Sequence, residues 1–403
     1  MNLLGNFSFY PVGQGCFYGG SINYKGNKFV MVYDCGTVSS QSFVNDAISD
    51  FKTNYKKIDL LMISHFDKDH VSGLQNLLNG IRCDRIVIPY YEPLTRLMLL
   101  AKYPDDDDYA NFLRNPIEYI TTNNNVGEII IMEGNNDGEN AIRALAKPDS
   151  PIPDFNGEFD LQILATNNAN EELRNKVIAN EEISISTSLQ FLKIPTTFVL
   201  SEIWEFVFYL KDFGNPIGID DFRLGIDNLL VHTPDGKLQS LFNPHFVPQI
   251  HKLYTTHLSA NINFTSLCVY HGPVHRCRSI YVNGLNIVRY SGFMRNRKSG
   301  TLLTGDSFIK TTIDYTSFYN YYSPIYIDQC FFFQVPHHGS EKNWNMFPNG
   351  LSSIPFYIIN HSFKSKKHPS VSVLSNINTN SVYKFILSNH QFQRIDYSIK
   401  ALP

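Results

Sequence analysis

The stretch "ISHFDKDHVSGL", residues 63–74, places His65, Asp67, Asp69 and His70 within six residues, directly after the apolar run "DLLM". Such a run ends a strand, and Val71, Leu74, Leu78 and Ile81 then recur at helical spacing, so a helix is expected next. A strand–loop–helix corner points alternating side chains into one cleft while the rigid elements hold them there. Imidazole nitrogen and carboxylate oxygen are the donors that bind zinc, manganese and iron, singly or as a pair of ions. Asp67 makes the set oxygen-rich, which tilts it toward manganese. The plainer alternative is a polar turn with Asp67 or Asp69 as a helix N-cap.

Two further strand ends carry the same chemistry. "LLTGD" (302–306) closes an apolar run with Gly305 and Asp306, and "QVPHHGS" (334–340) sets His337 and His338 before a glycine turn. Three strand ends that each deliver imidazole or carboxylate point to one shared metal cleft.

Around these corners, short β-branched and aromatic runs alternate with turns. "NFSFYPV", "CFYGGSINY", "KFVMVYDCG" and "RIVIPY" read as strands, with a helix near 41–55 between the third and "DLLMISH". "YPDDDDYANF" (103–112) reads as a solvated helix start or loop. "VGEIIIMEG", "DLQILAT", "TSLCVYHG", "LNIVRYSG", "PFYIINHS" and "VYKFILSNH" continue the strands of an α/β chain. Residues 167–258 differ, with Asn/Glu-rich helical text, the aromatic run "IWEFVFYLKDF" and turn-rich "HTPDGK". They are expected to form an inserted cap or subdomain between a first half, 1–166, and a second, 259–403.

With 43% hydrophobic residues among 403, the chain can bury a large core, and extensive disorder is excluded. A net charge of −3 removes whole-molecule attraction to a polyanion, so any such ligand has to be gripped locally. "FKSKKHPS" (363–370), with Lys364, Lys366 and Lys367, is the candidate grip, weighed against an ordinary solvated loop. Six scattered cysteines fit a reducing compartment, the start lacks the pattern of a signal peptide, and no apolar run is long enough to span a membrane. A cytoplasmic location without membrane contact is expected. "CVYHGPVHRC" (268–277) reads as a hairpin with incidental Cys and His, since its spacing fits no standard zinc site. Cys35 reads as packing and His390 as incidental.

"SHFDKDH", "TGD" and "VPHHGS" resemble the metallo-β-lactamase superfamily, and within it the soluble hydrolase domain of ComEC-type DNA-uptake proteins. "PVGQGC", "VYDCGT", "NFTSL" (263–267) and "HPS" (368–370) resemble further blocks of that branch, in the same order. The matching blocks cover about half the chain, over roughly 5–90 and 258–375. The resemblance implies a four-layer αβ/βα sandwich with two divalent ions, zinc or manganese, at one edge of the sheets. His65, Asp67, Asp69 and His70 would form the first ligand motif, and Asp306 would bridge the ions. His337 or His338 would complete the site or contact the scissile phosphate, and Asp34 would orient ligands by hydrogen bonds. Lys364, Lys366, Lys367 and His368 would lie at the substrate rim. The sequence departs from the family pattern at Cys16, where the branch has an acidic residue, and at Asp67, where the wider superfamily has His. A mid-chain histidine ligand has no clear counterpart; His257, His271 and His361 are the candidates.

The function so implied is hydrolysis of a phosphodiester, in nucleic acid or a nucleotide. Asp69 and Asp306 would bind metal and steer water, and His337 or His338 would donate a proton to the leaving oxygen. The alternatives are hydrolysis of a small ester, thioester or lactone, and a protein-interaction or sensor module whose 167–258 insert meets a protein partner.

Overall fold

The computed structural model describes residues 3–135, 141–142, 152–153, 157–165, 170–181, 187–212, 214, 216–258, 265–275, 277–283, 298–345, 351, 353–379 and 385–401. The strands are β1 (Leu3–Phe9), β2 (Phe17–Tyr24), β3 (Asn27–Cys35), β4 (Lys57–Met62), β5 (Arg82–Pro89) and β6 (Asn125–Glu133). They continue with β7 (Leu161–Ala165), β8 (Ser188–Lys193), β9 (Thr196–Leu200), β10 (Trp204–Tyr209), β11 (Cys268–Pro273) and β12 (Cys277–Asn283). The last are β13 (Gly300–Leu303), β14 (Cys330–Gln334), β15 (Phe356–Asn360), β16 (Phe385–Asn389) and β17 (Ile395–Ala401).

They form two mixed sheets, ordered β12-β17-β1-β2-β3-β4-β5-β6-β8 and β16-β15-β14-β13-β11-β10-β9-β7. Within the first, β3, β4, β5, β6 and β8 run parallel; within the second, β13 to β16 do. Their sequences explain this. "EIIIM" and "CFFFQ" are continuous apolar runs rather than alternating ones, as strands covered on both faces require.

Phe7, Tyr18, Tyr33, Trp204, Phe206 and Phe332 fill the space between the sheets. The other face of the first sheet is covered by α1 (Gln41–Asn54), α2 (Lys68–Val71), α3 (Leu74–Leu78), α4 (Pro93–Leu100), α5 (Asp107–Arg114), α6 (Pro116–Thr121), α7 (Glu171–Asn180), α8 (Ile219–Leu230) and α9 (Val247–His257). The second sheet packs against α10 (Thr312–Tyr322), α11 (Ile325–Gln329) and α12 (Val371–Thr379). The result is the expected αβ/βα sandwich.

The boundaries of the insert differ from expectation. Within 167–258, β8 extends the first sheet beside β6, and β9 and β10 belong to the second. "WEFVFY" is buried along its whole length because it is a central strand rather than part of a cap. The α8–α9 stretch between β10 and β11 packs on the first-sheet helices, with a bond between His251 Nδ1 and the Ala101 carbonyl. The helix expected after His70 is also divided, into α2 and α3, at Ser72 and Gly73. A Cβ at Gly73 would stand 2.8 Å from Cys35 Sγ, so the chain passes too close to β3 for a side chain there. "YPDDDDYANF" is a helix start, with Asp106 capping the Tyr109 N–H. "LNIVRYSG" lies outside the described residues.

The parallel strands β3, β4 and β5 of one sheet and β13 to β16 of the other all present their carboxyl ends at one edge. Loops leaving carboxyl ends are where open α/β sheets bind ligands.

Candidate metal centre

The ligand loop is built on Asp34, the penultimate residue of β3. It is fully buried, has a left-handed φ of 57°, and its carboxylate accepts three bonds of 2.7 Å. The donors are the Ser64 backbone N–H, the Ser64 hydroxyl and His70 Nδ1. One carboxylate thus fixes both ends of the stretch from 64 to 70. The second sheet locks on through Leu267, whose N–H donates to the Ser64 carbonyl at 2.7 Å. Asp306 follows from β13 through Gly305, where an added Cβ would stand 2.8 Å from the Ser64 side chain. The glycine of "TGD" is therefore a close-approach position, and the Ser266 hydroxyl then accepts the Asp306 N–H at 3.0 Å.

These bonds set the histidine tautomers. An ionised carboxylate only accepts, so His70 Nδ1 carries its hydrogen toward Asp34, leaving Nε2 to face the cleft. Ser64 donates to Asp34 and therefore accepts from His65 Nδ1 at 2.8 Å, which turns the His65 Nε2 lone pair the same way. Neither Nε2 has a hydrogen-bond partner, nor does Asp306 Oδ1, although all three atoms are buried. His65, Asp69, His70 and Asp306 offer donor atoms that all lie within 4.8 Å of one another. Asp306 Oδ1 is 3.3 Å from His70 Nε2, and Oδ2 is 3.7 Å from His65 Nε2.

The histidines of "VPHHGS" close the opposite wall. His337 and His338 both adopt left-handed φ, 48° and 56°, an uncommon conformation that turns the two rings apart. His338 donates from Nδ1 to the Asn360 carbonyl at 2.8 Å and places Nε2 2.9 Å from Asp69 Oδ2. His337 donates from Nδ1 to Asn343 Oδ1 and sets Nε2 3.7 Å from Asp306 Oδ2, with its ring about one-third exposed (34%). His337 is the member open to solvent.

Electrostatics follow from carboxylates packed against imidazoles. Burial opposes charge on His70, but Asp34, Asp306 and Asp69 outweigh it and hold its pKa well above the usual range. Burial likewise resists ionisation of Asp306 and Asp69, yet His337, His70 and His338 pull Asp306 well below its usual value. His70 and His338 bring Asp69 to about 2. Protons on His70 and His338 supply positive charge in this pocket, and a divalent cation would displace them. The donor set fits such an ion: orphaned imidazole lone pairs and carboxylate oxygens, buried and convergent.

Asp67 stands apart from the four. It begins α2 without capping a backbone N–H, and its carboxylate faces Lys102 Nζ at 3.0 and 3.2 Å, against 3.8 Å to His65 Nε2. His368 lies half-buried with its ring centroid 5.7 Å from that of His337, and burial lowers its pKa to about 4. Lys364, Lys366 and Lys367 are exposed on the same loop. None of the mid-chain candidates joins the group. His271 is in the core, His361 bonds Ser362 and Ser388, and His257 lies in α9. In "CVYHGPVHRC", His275 bonds the Glu202 carbonyl, and no metal-binding group forms there among the described residues.

A second buried trio, Cys16, Asp34 and His70, also converges, but its capacity is taken up. Besides the three bonds on Asp34, Cys16 Sγ receives the side-chain amides of Gln334 and Asn360 at 3.3 and 3.4 Å. Sequence reasoning passes over Ser64, Asn343, Gln334 and Asn360. For the last two a signal exists: each is the polar residue that closes an apolar strand, the same pattern that marks "LLTGD".

No protein-family model and no curated protein matches the chain. The functional reading therefore rests on the chemistry of the pocket.

Proposed function

We propose that this chain is a metal-dependent hydrolase of the metallo-β-lactamase type that cleaves phosphodiesters. The observation that carries the reading is the pair of buried, partnerless Nε2 atoms of His65 and His70 facing the partnerless Oδ1 of Asp306. Such atoms are costly to bury unless something fills the space between them, and a cation is what this set attracts. His65, His70, Asp69 and Asp306 would hold one divalent ion, zinc or manganese, and Asp69, Asp306 and His338 a second. When bound, such ions acidify water and neutralise charge on a phosphoryl oxygen.

The chain's own residues supply the rest. Asp69 and Asp306 orient water by accepting its hydrogen bonds. His337, partly open to solvent and fixed by Asn343, is placed to protonate a leaving oxygen. Asp34 holds His70 in the tautomer that offers Nε2. The exposed lysines beside His368 favour an anionic substrate over a neutral ester. Five buried free cysteines support placing the protein in a reducing compartment, the cytoplasm. No helix among the described residues is long and apolar enough to cross a membrane.

The test is metal analysis of the purified protein, followed by hydrolysis of bis(p-nitrophenyl) phosphate with zinc or manganese. The parent should take up metal and turn over the diester, and the His65→Ala/His70→Ala double variant should do neither. A double variant as metal-loaded as the parent would overturn the site.

A further inference from the structure

The loop from His361 to Ser370 is anchored to the candidate metal centre at both ends. At its start, the Asn360 carbonyl accepts from His338; at its end, Ser370 N–H donates to the Gly339 carbonyl at 3.0 Å and the His368 ring lies beside His337. Two large apolar side chains stand at this edge, Phe363 at 65% exposure and Phe392 at 72%. Their ring centroids are 6.3 Å apart, and the His390 ring completes a triangle with them at 5.4 Å from Phe363 and 6.1 Å from Phe392. His361 extends the row, 5.7 Å from His390.

The loop that carries Phe363 is held from below. Phe363 N–H donates to Gln391 Oε1 at 3.0 Å, Ser362 N–H to Gln14 Oε1 at 3.2 Å, and His361 N–H to the Asn389 carbonyl at 2.9 Å. The three rings are tilted 49–76° to one another rather than coplanar, and Phe363 and Phe392 keep most of their surface open for stacking. The charge on the same loop is unspent: Lys364, Lys366 and Lys367 have no ion-pair partner among the described residues. A ligand for this surface needs flat apolar groups and a chain of negative charges, and must lead into a pocket of imidazoles and carboxylates.

We propose that Phe363, His390 and Phe392 form a stacking platform that, together with Lys364, Lys366 and Lys367, grips a single-stranded nucleic acid beside the metal centre. Unpaired bases offer the faces that stack on such rings, whereas a duplex keeps them hidden, and lysines follow the phosphates without reading sequence. The proposal rests on the phosphodiesterase reading of the pocket and names its substrate class. An anionic membrane would also attract lysines and phenylalanines. The His390 imidazole packed against both phenyl rings breaks the apolar surface that insertion into a bilayer requires.

The test uses fluorescence anisotropy with a labelled oligothymidylate, in EDTA so that binding is read without cleavage. Phe363→Ala/Phe392→Ala should weaken binding at least about tenfold and leave its salt dependence unchanged. The triple lysine-to-alanine variant should weaken binding and flatten the log–log salt slope by about 0.7 for each phosphate no longer neutralised. Phe363→Tyr/Phe392→Tyr should restore affinity, and the matching duplex should bind more weakly than the single strand. Unchanged oligothymidylate binding in the double alanine variant overturns the platform. So does equal binding of duplex, or a loss seen only with phosphatidylserine vesicles. If the platform result holds while the parent fails to cleave the small diester with either metal, the hydrolase reading fails and the binding surface stands.

Discussion

His70 and His271 are equally buried, at 1% and 0% exposure, yet the two rings do opposite things. His271, on β11, sits between the sheets among neutral partners. The Trp204 indole N–H donates to its Nδ1 at 3.3 Å, so its hydrogen is on Nε2 and goes to the Tyr18 hydroxyl at 2.8 Å. Tyr18 also bonds the Tyr397 hydroxyl, and Tyr397 bonds that of Thr301, so each polar side chain in this series has a partner. Burial alone keeps this imidazole uncharged, with a pKa lowered to about 3. His70 has a carboxylate behind it and carboxylates in front, and its forward nitrogen has no partner. A saturated buried histidine is architecture, and one backed by a carboxylate with its other nitrogen bare is a candidate ligand.

The contrast is open to attack, and the largest effect belongs to the ligand side. Asp306→Ala should lower turnover of bis(p-nitrophenyl) phosphate on the order of 10³-fold, the scale of losing a group that stabilises transition-state charge. A steady-state rate near the parent's would remove Asp306 from the chemistry.

Next comes the architectural side. His271→Leu strips partners from the Trp204 N–H and the Tyr18 hydroxyl, and unsatisfied buried groups cost about 1–3 kcal/mol each. Urea unfolding should show a loss of about 2–4 kcal/mol, with metal content unchanged. If the variant loses its metal instead, the division between the two histidines is wrong.

Asp34→Asn sharpens the boundary between them. An amide nitrogen facing His70 Nδ1 would donate to it, reversing the tautomer and turning the Nε2 hydrogen into the pocket. Metal affinity measured by chelator competition should fall about 10–100-fold, the usual cost of losing such a supporting carboxylate. An affinity equal to the parent's would mean that Asp34 does not set the tautomer.

A smaller effect concerns acid. The unfolded chain protonates His271 near pH 6.5, while the folded one resists down to about 3. The unfolded state therefore binds more protons between those values, so this residue contributes nothing to pH dependence above about 6.5. Below it, stability falls by at most about 1.4 kcal/mol per unit. Chemical denaturation from pH 7 to 4 should show the stability gap between parent and His271→Leu narrowing. A gap that widens on acidification would mean the ring accepts its proton in place.

The smallest change is expected at Asp67, whose carboxylate is spent on Lys102. Asp67→Asn should keep its metal and shift affinity by less than about tenfold, because a partly exposed pair contributes little. Loss of one ion per chain would make Asp67 a ligand that exchanges Lys102 for metal.

Much of this is legible in the chain itself. "EIIIM" and "CFFFQ" announce strands covered on both faces, and "SHFDKDH", "TGD" and "VPHHGS" announce side chains delivered at strand ends. "WEFVFY" reads as part of an insert because its neighbours are polar and helical, while its own composition already suits a central strand.

By itself the sequence determined which residue types stand at the strand ends, since periodicity and composition act over a few residues and fix where each element stops. Only the tertiary structure decided which of them meet. Asp34 reaches His70 and Ser64, Asp306 reaches His65, Asn343 and Asn360 aim two adjacent histidines, and Lys102 takes Asp67. Apart from the His337–Asn343 turn, those pairings join residues far apart in the chain, from 22 positions for His338 and Asn360 upward. They depend on strand order and on the contact of two sheets, and no local pattern in the chain encodes either.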